Sequence, residues 1–190
     1  MKWSESSGFS LLPYILICGV ALARLAASHP YNILPVFSCL LFFAATRPAR
    51  EFALPLLALV GVDIFLTTHQ YGSSLTLGAG VTWIWYLAVM MIGSGLLRNS
   101  YSWRRVAGCS LLISISFFLA SNYTVWAEWS MYPKTLDGLG SCYIAAIPFF
   151  RNSLLSELVS SLVIFGLSYR FMALPVMRIA PVAHLNDTTL

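Results

Sequence analysis

The sequence predicts an all-α integral membrane protein, a bundle of six transmembrane helices that forms one domain over residues 1–190. Composition is the first reason. Hydrophobic residues make up 58% of the chain and charged residues only 9%, whereas a soluble domain carries about 25% charged residues. The second reason is that long apolar runs recur between short polar connections. Such a chain lacks the polar groups to cover a water-facing surface.

The apolar runs define six spans. A helix needs about 20 mostly apolar residues to cross a bilayer, with a range of about 17–25, and the second run is shorter than this. The polar break TRPARE (46–51) favours separate crossings for the second and third spans over a re-entrant pair. The predicted spans are 9–27, 33–46, 52–68, 77–97, 106–121 and 154–174.

The first span also resembles a secretory signal peptide, because a basic residue precedes an apolar core and small residues. Arg24 in the would-be cleavage region and Glu5 near the start favour a helix that is retained. We therefore expect this span to belong to the bundle.

Basic residues are unevenly distributed among the connections. The connection between spans three and four has none, whereas two others hold five arginines: Arg47, Arg50, Arg98, Arg104 and Arg105. Short arginine-rich connections lie on the cytoplasmic side of a membrane, so the net charge of +4 reflects topology rather than nucleic-acid binding. We expect both termini in the cytoplasm and the protein in a bacterial inner membrane.

The outward connections then hold most of the polar chemistry. The last of them, 122–152, is predicted to be a long loop, because Pro133 and the pair Asp137-Gly138 indicate turns. Loops of this length are often binding loops or lids. Its aromatic residues fit either an interfacial belt or the wall of a ligand pocket, and the nearby polar groups favour the pocket. The candidate substrate-binding residues are His29, Asn32, Asp63, His69, Tyr71, Trp126, Tyr132, Cys142 and Arg151.

Asp63 is notable because an ionisable group inside an apolar span costs about 2.5–3.5 kcal/mol at the helix centre. Two compatible roles are open. Asp63 is an acceptor at the bottom of an outward-facing pocket, or it forms a buried pair with Arg24 on the first span. Arg151 likewise fits either a bidentate anchor for a ligand carboxylate or phosphate or an interfacial, snorkelling arginine.

The sequence favours a non-enzymatic protein. No two of the four cysteines form a C-x-x-C pair, and His29 and His69 on different loops are a weak signal, so we predict no metal site. No P-loop is present, and Ser94 has no histidine nearby in the sequence. Thiol chemistry at Cys142 is the enzymatic alternative.

Small residues repeat every four positions along the first span, at Gly19, Ala23 and Ala27. This spacing lets another helix approach closely. The stripe is predicted to pack against another helix, either inside the bundle or on a partner protein. An assembly subunit that binds no solute is the structural alternative.

Three segments carry a family resemblance: RLAASHPYNILPV (24–36), FFLASNYTVW (117–126) and YPKTLDGLGSCYIAAIPFFRN (132–152). The chain resembles the substrate-binding S components of energy-coupling-factor vitamin transporters, within an incompletely characterised bacterial family related to solitary cobalamin carriers. The resemblance implies capture of a vitamin-like micronutrient from the outer face. It also implies a transmembrane coupling protein and cytoplasmic ATPases as partners.

Cobalamin is the first candidate for the transported ligand, and no resident cofactor is expected. In similar cobalamin carriers a loop cysteine meets the cobalt, but the third connection here, THQYGSSLTLGAG (68–80), has no cysteine. His69, Cys142 or no protein group would then face the metal.

Overall fold

The structure, a computed structural model, describes residues 11–26, 35–70, 72, 74–98 and 102–177. These residues form α-helices and no strand, which confirms the all-helical prediction for this part of the chain. A 3₁₀ turn (Ala49–Glu51) precedes the third helix and a π-helical turn (Leu66–Gln70) continues it. The helices are α1 (Leu12–Ala26), α2 (Val36–Thr46), α3 (Ala53–Phe65), α4 (Leu77–Leu96), α5 (Trp103–Glu128) and α6 (Leu136–Met177).

Within the residues that the structure describes, four stretches are long and apolar enough to cross a membrane, whereas α1 and α2 are shorter apolar helices. Large apolar side chains lie on the outer surface of the bundle. Leu57 and Ile144, for example, are each 69% exposed. A surface of this kind suits lipid rather than water. The four long stretches are Ala49–Gln70, Leu77–Leu96, Trp103–Glu128 and Leu136–Arg170.

Helix α2 is the centre of the bundle. Every side chain from Ser38 to Ala45 is buried, and α2 packs against α1, α4, α5 and α6. Its 11 residues span about 16 Å, roughly half of the bilayer's hydrocarbon thickness of about 30 Å. The backbone groups at the ends of α2 therefore need partners from the protein, because lipid offers none.

The N-terminus of α2 is capped by Glu157 of α6. The Glu157 carboxylate accepts hydrogen bonds from the backbone N–H of Phe37, at 3.1 Å, and of Ser38, at 2.8 Å. Pro35, which precedes the helix, makes no side-chain cap. A negative charge at this end also interacts favourably with the positive end of the helix dipole.

The C-terminus of α2 is capped by Arg98, which follows α4. Its Nη2 donates to the carbonyl oxygen of Ala44 at 3.1 Å and to that of Arg47. An anion and a cation from two other helices thus satisfy opposite ends of the same buried helix, each with the sign that the dipole favours.

Arginines gather at the end of the bundle where α2 stops. Arg98 joins the end of α4 to the end of α2, and α5 starts a few residues further along the chain. A Cβ on Gly166 of α6 would touch the ring of Trp103 at the start of α5. We call this the arginine end, and its members are Arg47, Arg50, Arg98, Arg104, Arg105 and Arg170.

The prediction of a long loop between the fifth and sixth helices is wrong. Helix α5 continues to Glu128 and α6 already starts at Leu136, so only seven residues connect them, and the predicted spans 106–121 and 154–174 were too short. Polar residues in the C-terminal part of α5 are compatible with a helix because their side chains hydrogen-bond to backbone carbonyl groups of the same helix. Asn122 Nδ2, for example, donates to the Phe118 carbonyl at 2.8 Å.

Side chains of the short connection cap the end of α5 and the start of α6. Lys134 Nζ donates to the carbonyl oxygens of Trp126 and Trp129 at the end of α5, the latter at 2.8 Å. Thr135 Oγ1 accepts from the Gly138 N–H at 3.2 Å at the start of α6. Gly138 has no Cβ, and one there would collide with the Pro133 carbonyl. Asp137-Gly138, which was predicted to form a turn in a loop, therefore lies in the first turn of α6.

Helices α5 and α6 are not parallel to each other along their whole length, because two contacts between them are further apart along α6 than along α5. Cys142 meets the Asn122 carbonyl at 3.6 Å and Ser161 meets Ser110 at 2.8 Å. These contacts are about 28 Å apart along an ideal α6 but only about 18 Å apart along α5. Pro148 lies between them and has no N–H to donate to the helix, so it marks the position where α6 can bend.

Removing the N-terminal cap of α2 is expected to destabilise the whole bundle. Glu157→Ala leaves two buried backbone N–H groups without an acceptor, at about 1–3 kcal/mol each. We expect a loss of about 3 kcal/mol, seen as a fall of about 6–12 °C in the unfolding temperature in detergent. Glu157→Gln should fall between this variant and the native protein. Asn152→Ala, an exposed change on the same helix, is the control, and equal unfolding temperatures for it and Glu157→Ala would contradict the cap.

A matched pair of glycines on α4 tests how tightly α2 is enclosed. A Cβ on Gly93 would lie 3.0 Å from the Leu41 carbonyl oxygen and 3.1 Å from Ala44 Cβ, whereas one on Gly95 meets nothing within 4 Å. Gly93→Ala should cost about 1–3 kcal/mol by overpacking. Gly95→Ala should instead gain up to about 1 kcal/mol in helix propensity. Thermal unfolding of both variants measures the difference, and a shift of the same sign in both would show that α2 has room to move.

Candidate functional site

A charged cluster is buried where α1, α3 and α4 meet. Arg24 Nη2 lies 2.5 Å from Asp63 Oδ1, and Arg24 Nη1 donates to the Tyr86 hydroxyl at 2.6 Å. The Tyr86 hydroxyl in turn donates to Asp63 Oδ2 at 3.0 Å. The side chain of Arg24 is 22% exposed and that of Asp63 is 10% exposed. The predicted pairing of Asp63 with Arg24 is thus confirmed.

The pattern of α3 explains why Asp63 faces inward. Leu59, Asp63 and Leu66 recur at a spacing of four and three residues, and all three are buried. Residues at this spacing share one face of a helix, so the carboxylate is carried on the face that packs into the bundle. The cost of burying it is offset by the guanidinium and the phenol.

An aromatic group joins this cluster to the start of α2. The Phe37 ring packs edge-on against Tyr86, with centroids 6.3 Å apart, and against Phe117 of α5 at 4.9 Å. Trp83 lies one turn before Tyr86 on α4. Its buried indole N–H is close to the Asp63 carboxyl group, although the two do not form a well-aligned hydrogen bond.

Glu157 begins a second polar cluster on the other side of Phe37. The Ser38 hydroxyl contacts the Glu157 carboxylate and lies 2.9 Å from the Ser161 hydroxyl. Ser110 of α5 extends the chain to Ser161 at 2.8 Å. Three helices are thereby linked by side-chain oxygens inside an apolar bundle. Since α2 starts here, both clusters lie at one level, and we call Arg24, Asp63, Tyr86, Ser38 and Glu157 the polar layer.

The two carboxyl groups of the polar layer have different kinds of partner. The Asp63 carboxylate faces the Arg24 guanidinium. The Glu157 carboxylate is held by the backbone N–H groups of Phe37 and Ser38 and by the Ser38 hydroxyl, with no cation paired to it among the described residues. The N-terminus of α2 places a partial positive charge of about one half beside Glu157 through the helix dipole.

Helix α1 is also held at its other end. The Tyr14 hydroxyl donates to Glu51 Oε2, and Arg47 Nε donates to the same oxygen at 2.7 Å. The Arg47 guanidinium lies 5.1 Å from the centre of the Tyr14 ring. The Glu51 hydrogen bond raises the pKa of Arg47 above its ordinary value, so this cation stays charged. Polar contacts at Tyr14 and Arg24 therefore clamp α1 to the bundle at two heights.

The structure separates the other predicted site residues from the polar layer. His69 is exposed in the π-helical turn, where its ring stacks on Phe65 at 4.9 Å. Trp126 Nε1 donates to the Pro133 carbonyl at 2.8 Å within the α5–α6 connection, and Tyr132 lies in the same connection. Arg151 is exposed on α6. No hydrogen bond or ion pair of the described residues links these four to the polar layer.

Cys142 is in a helix rather than in a loop. It is 2% exposed, and its thiol faces the Asn122 carbonyl at the α5–α6 contact. Thiol chemistry needs exposure or a nearby cation, so this position does not favour the thiol alternative. Across the described residues, no group of three histidine, cysteine or acidic side chains is arranged to hold a metal.

Several predicted residues lie outside the described part of the chain: His29, Asn32, Tyr71 and, in the small-residue stripe, Ala27. Within the described part of that stripe, Gly19 is exposed and has open space where a Cβ would lie. Ala23 is half-buried. This face of α1 is thus available to a partner helix or to lipid.

Tyr86, Ser38 and Glu157 of the polar layer were not predicted from the sequence, and of these three Glu157 carried a clear signal. It lies within the predicted span 154–174, so the reasoning that singled out Asp63, an ionisable residue in an apolar run, applies equally to it. Its partner is the backbone of a helix about 120 positions earlier in the chain, and no local pattern indicates that contact.

The chain belongs to a family of unknown function (DUF6580), which it matches over residues 5–177. No curated protein and no solved structure matches the chain significantly. The family covers almost the entire sequence, including all members of the polar layer.

A double-mutant cycle tests the charged cluster. Arg24→Gln leaves the Asp63 carboxylate buried without its cation, and breaking a buried pair in this way costs about 3–5 kcal/mol. Asp63→Asn should cost a similar amount because it isolates Arg24. The double variant Arg24→Gln/Asp63→Asn should recover at least half of either loss. Thermal unfolding in detergent measures all three, and simply additive losses would show that the two side chains act independently.

Proposed function

We propose that this protein is a membrane substrate-binding or transport protein and that its ligand is recognised at the polar layer. The observation that carries the proposal is the buried cluster of Arg24, Asp63 and Tyr86 inside an otherwise apolar bundle. Ionisable residues at such positions are expensive and most often serve a solute pathway or binding site. The cluster lies beside the start of the short helix α2, because Phe37 packs against Tyr86.

Arg24 is the group we propose to contact the ligand. A guanidinium has five N–H donors, of which the contacts to Asp63 and Tyr86 use only part, and the Arg24 side chain is 22% exposed. A ligand carboxylate or amide oxygen would bind Arg24 in place of, or beside, Asp63. Trp83 would supply a further donor through its indole N–H, and Phe37 and Phe117 would contribute an aromatic wall.

The ligand class we propose is a vitamin-like micronutrient, with cobalamin as the first candidate. The resemblance to the vitamin-transporter S components motivates this choice, and amide and carboxylate groups of such ligands suit Arg24. Direct contact between cobalt and Cys142 is not part of the proposal, because that thiol is buried between α5 and α6.

For the orientation, we propose that the arginine end faces the cytoplasm of a bacterial cell and that ligand enters from the opposite side. Six arginines at one end of the bundle support this through the charge rule for membrane proteins. A coupling protein and ATPases would be the partners, and the open face of α1 around Gly19 is a suitable contact. The same exposed face is also compatible with the alternative function, an assembly subunit that binds no solute.

Screening the detergent-purified protein against water-soluble vitamins, including cobalamin forms, tests the proposal. Ligand at about 100 times its dissociation constant stabilises the native state by about 2.7 kcal/mol, or about 5–11 °C for a chain of this size. Arg24→Lys should keep the fold and the pair with Asp63 but weaken binding, because ammonium cannot bind an oxygen pair bidentately. Arg151→Gln is the control and should bind normally.

Two outcomes would contradict the proposal. If no vitamin stabilises folded protein, the assembly-subunit function becomes the better explanation. If a vitamin binds but Arg24→Lys leaves its affinity unchanged while Arg151→Gln weakens it, the ligand lies at the surface of α6 and not at the polar layer.

A further inference from the structure

A second, separate concentration of charge lies at the arginine end, between the start of α5 and the end of the described part of α6. Arg104, Arg105 and Arg170 are all exposed there. The two helices meet at this point, because Gly166 has no Cβ and the ring of Trp103 occupies that space. Arg170 is one helical turn beyond Gly166, on the same side of α6.

These three arginines differ from the other cations at this end. Arg47 and Arg50 both lie within ion-pair distance of Glu51, at 2.7 Å and 3.9 Å. Arg98 donates hydrogen bonds to the carbonyl groups that end α2. No acidic residue occurs between Asp63 and Glu128, and none occurs from position 158 to position 186. Glu51 is the one acidic side chain among the described residues of this end. Among the described residues, no acidic side chain is paired with Arg104, Arg105 or Arg170.

Aromatic side chains flank the same three arginines. Trp103 is 48% exposed and Tyr169 is 42% exposed, each directly next in sequence to an exposed arginine. Tryptophan and tyrosine concentrate at the level of the lipid headgroups, where an apolar ring body meets water. The patch is thus at the height where phosphates lie if the long helices cross a bilayer.

We propose that Trp103, Arg104, Arg105, Tyr169 and Arg170 form a binding site for the headgroup of an anionic phospholipid. Guanidinium groups bind phosphate oxygens bidentately, and the cytoplasmic leaflet offers anionic lipid. The two aromatic rings would lie along the glycerol and upper acyl region. A lipid is favoured over a soluble acidic partner because the patch continues directly into the exposed apolar sides of α5 and α6, such as Leu112 and Leu167.

Such a lipid would fasten α5 to α6 at the end opposite their short connection. This inference does not depend on the identity or existence of the solute bound at the polar layer. It depends on the bundle lying in a membrane and rests on the orientation proposed above, with the arginine end at the cytoplasmic leaflet.

Lipid titration of the full-length protein tests the site. The unfolding temperature is followed while phosphatidylglycerol or phosphatidylcholine is added to protein in a neutral detergent, and bound lipids are counted by native mass spectrometry. The native protein should be stabilised by phosphatidylglycerol and should retain it preferentially. In Arg104→Gln/Arg105→Gln/Arg170→Gln the affinity should fall about fivefold for each arginine, hence about a hundredfold in total. The matched control Arg151→Gln, an exposed arginine elsewhere on α6, should keep the native preference.

Replacing the same three arginines by lysine keeps the charge and guards against a variant that does not fold. It should retain a weakened preference for the anionic lipid. Equal stabilisation by both lipids would overturn the proposal, as would an unchanged preference in the glutamine variant or an equal loss in Arg151→Gln. Stabilisation by inorganic phosphate or glycerophosphate to the same degree would also overturn it, because the site would then bind a free anion and not a lipid.

Discussion

The two ends of helix α2 impose the constraint on which the rest of the structure depends. A buried helix that stops halfway through an apolar bundle exposes N–H groups at one end and carbonyl groups at the other, and lipid can satisfy neither. Glu157 supplies the acceptor at one end and Arg98 the donor at the other. The positions of α6 and of the α4–α5 connection relative to α2 are thereby set by polar contacts, while apolar packing fills the space between them.

The short length of α2 has a structural consequence. Because α2 has only 11 residues, its N-terminus brings hydrogen-bond donors to the interior of the bundle. Arg24, Asp63 and Tyr86 lie at the same level and bind one another. Under the proposed function, the groups that recognise the solute are therefore inside the protein, on helices. The α5–α6 connection, which carries the most varied side chains in the sequence, uses them to cap its own helices.

The sequence allowed the fold class, the helical content and the pairing of Arg24 with Asp63 to be predicted, since each rests on a strong local signal. Composition excludes a soluble domain, and an aspartate in an apolar span requires a partner of opposite charge. The extents of α5 and α6 were predicted poorly. Polar and aromatic residues such as Asn122 and Trp126 are as compatible with a helix in contact with protein as with a loop, and Asp137-Gly138 favours a turn in isolation but starts a helix here.

What the sequence by itself determined is the location of the apolar runs, the gathering of arginines in alternate connections and the presence of two carboxylates where lipid would not tolerate them unpaired. Only the tertiary structure decided which groups those carboxylates meet. Asp63 meets a side chain whose charge made the pair predictable, whereas Glu157 meets the backbone of a helix, and backbone N–H groups are the same in every residue but proline. Which of them remain without partners depends on where a helix begins and what packs around it, and this is a property of the assembled bundle.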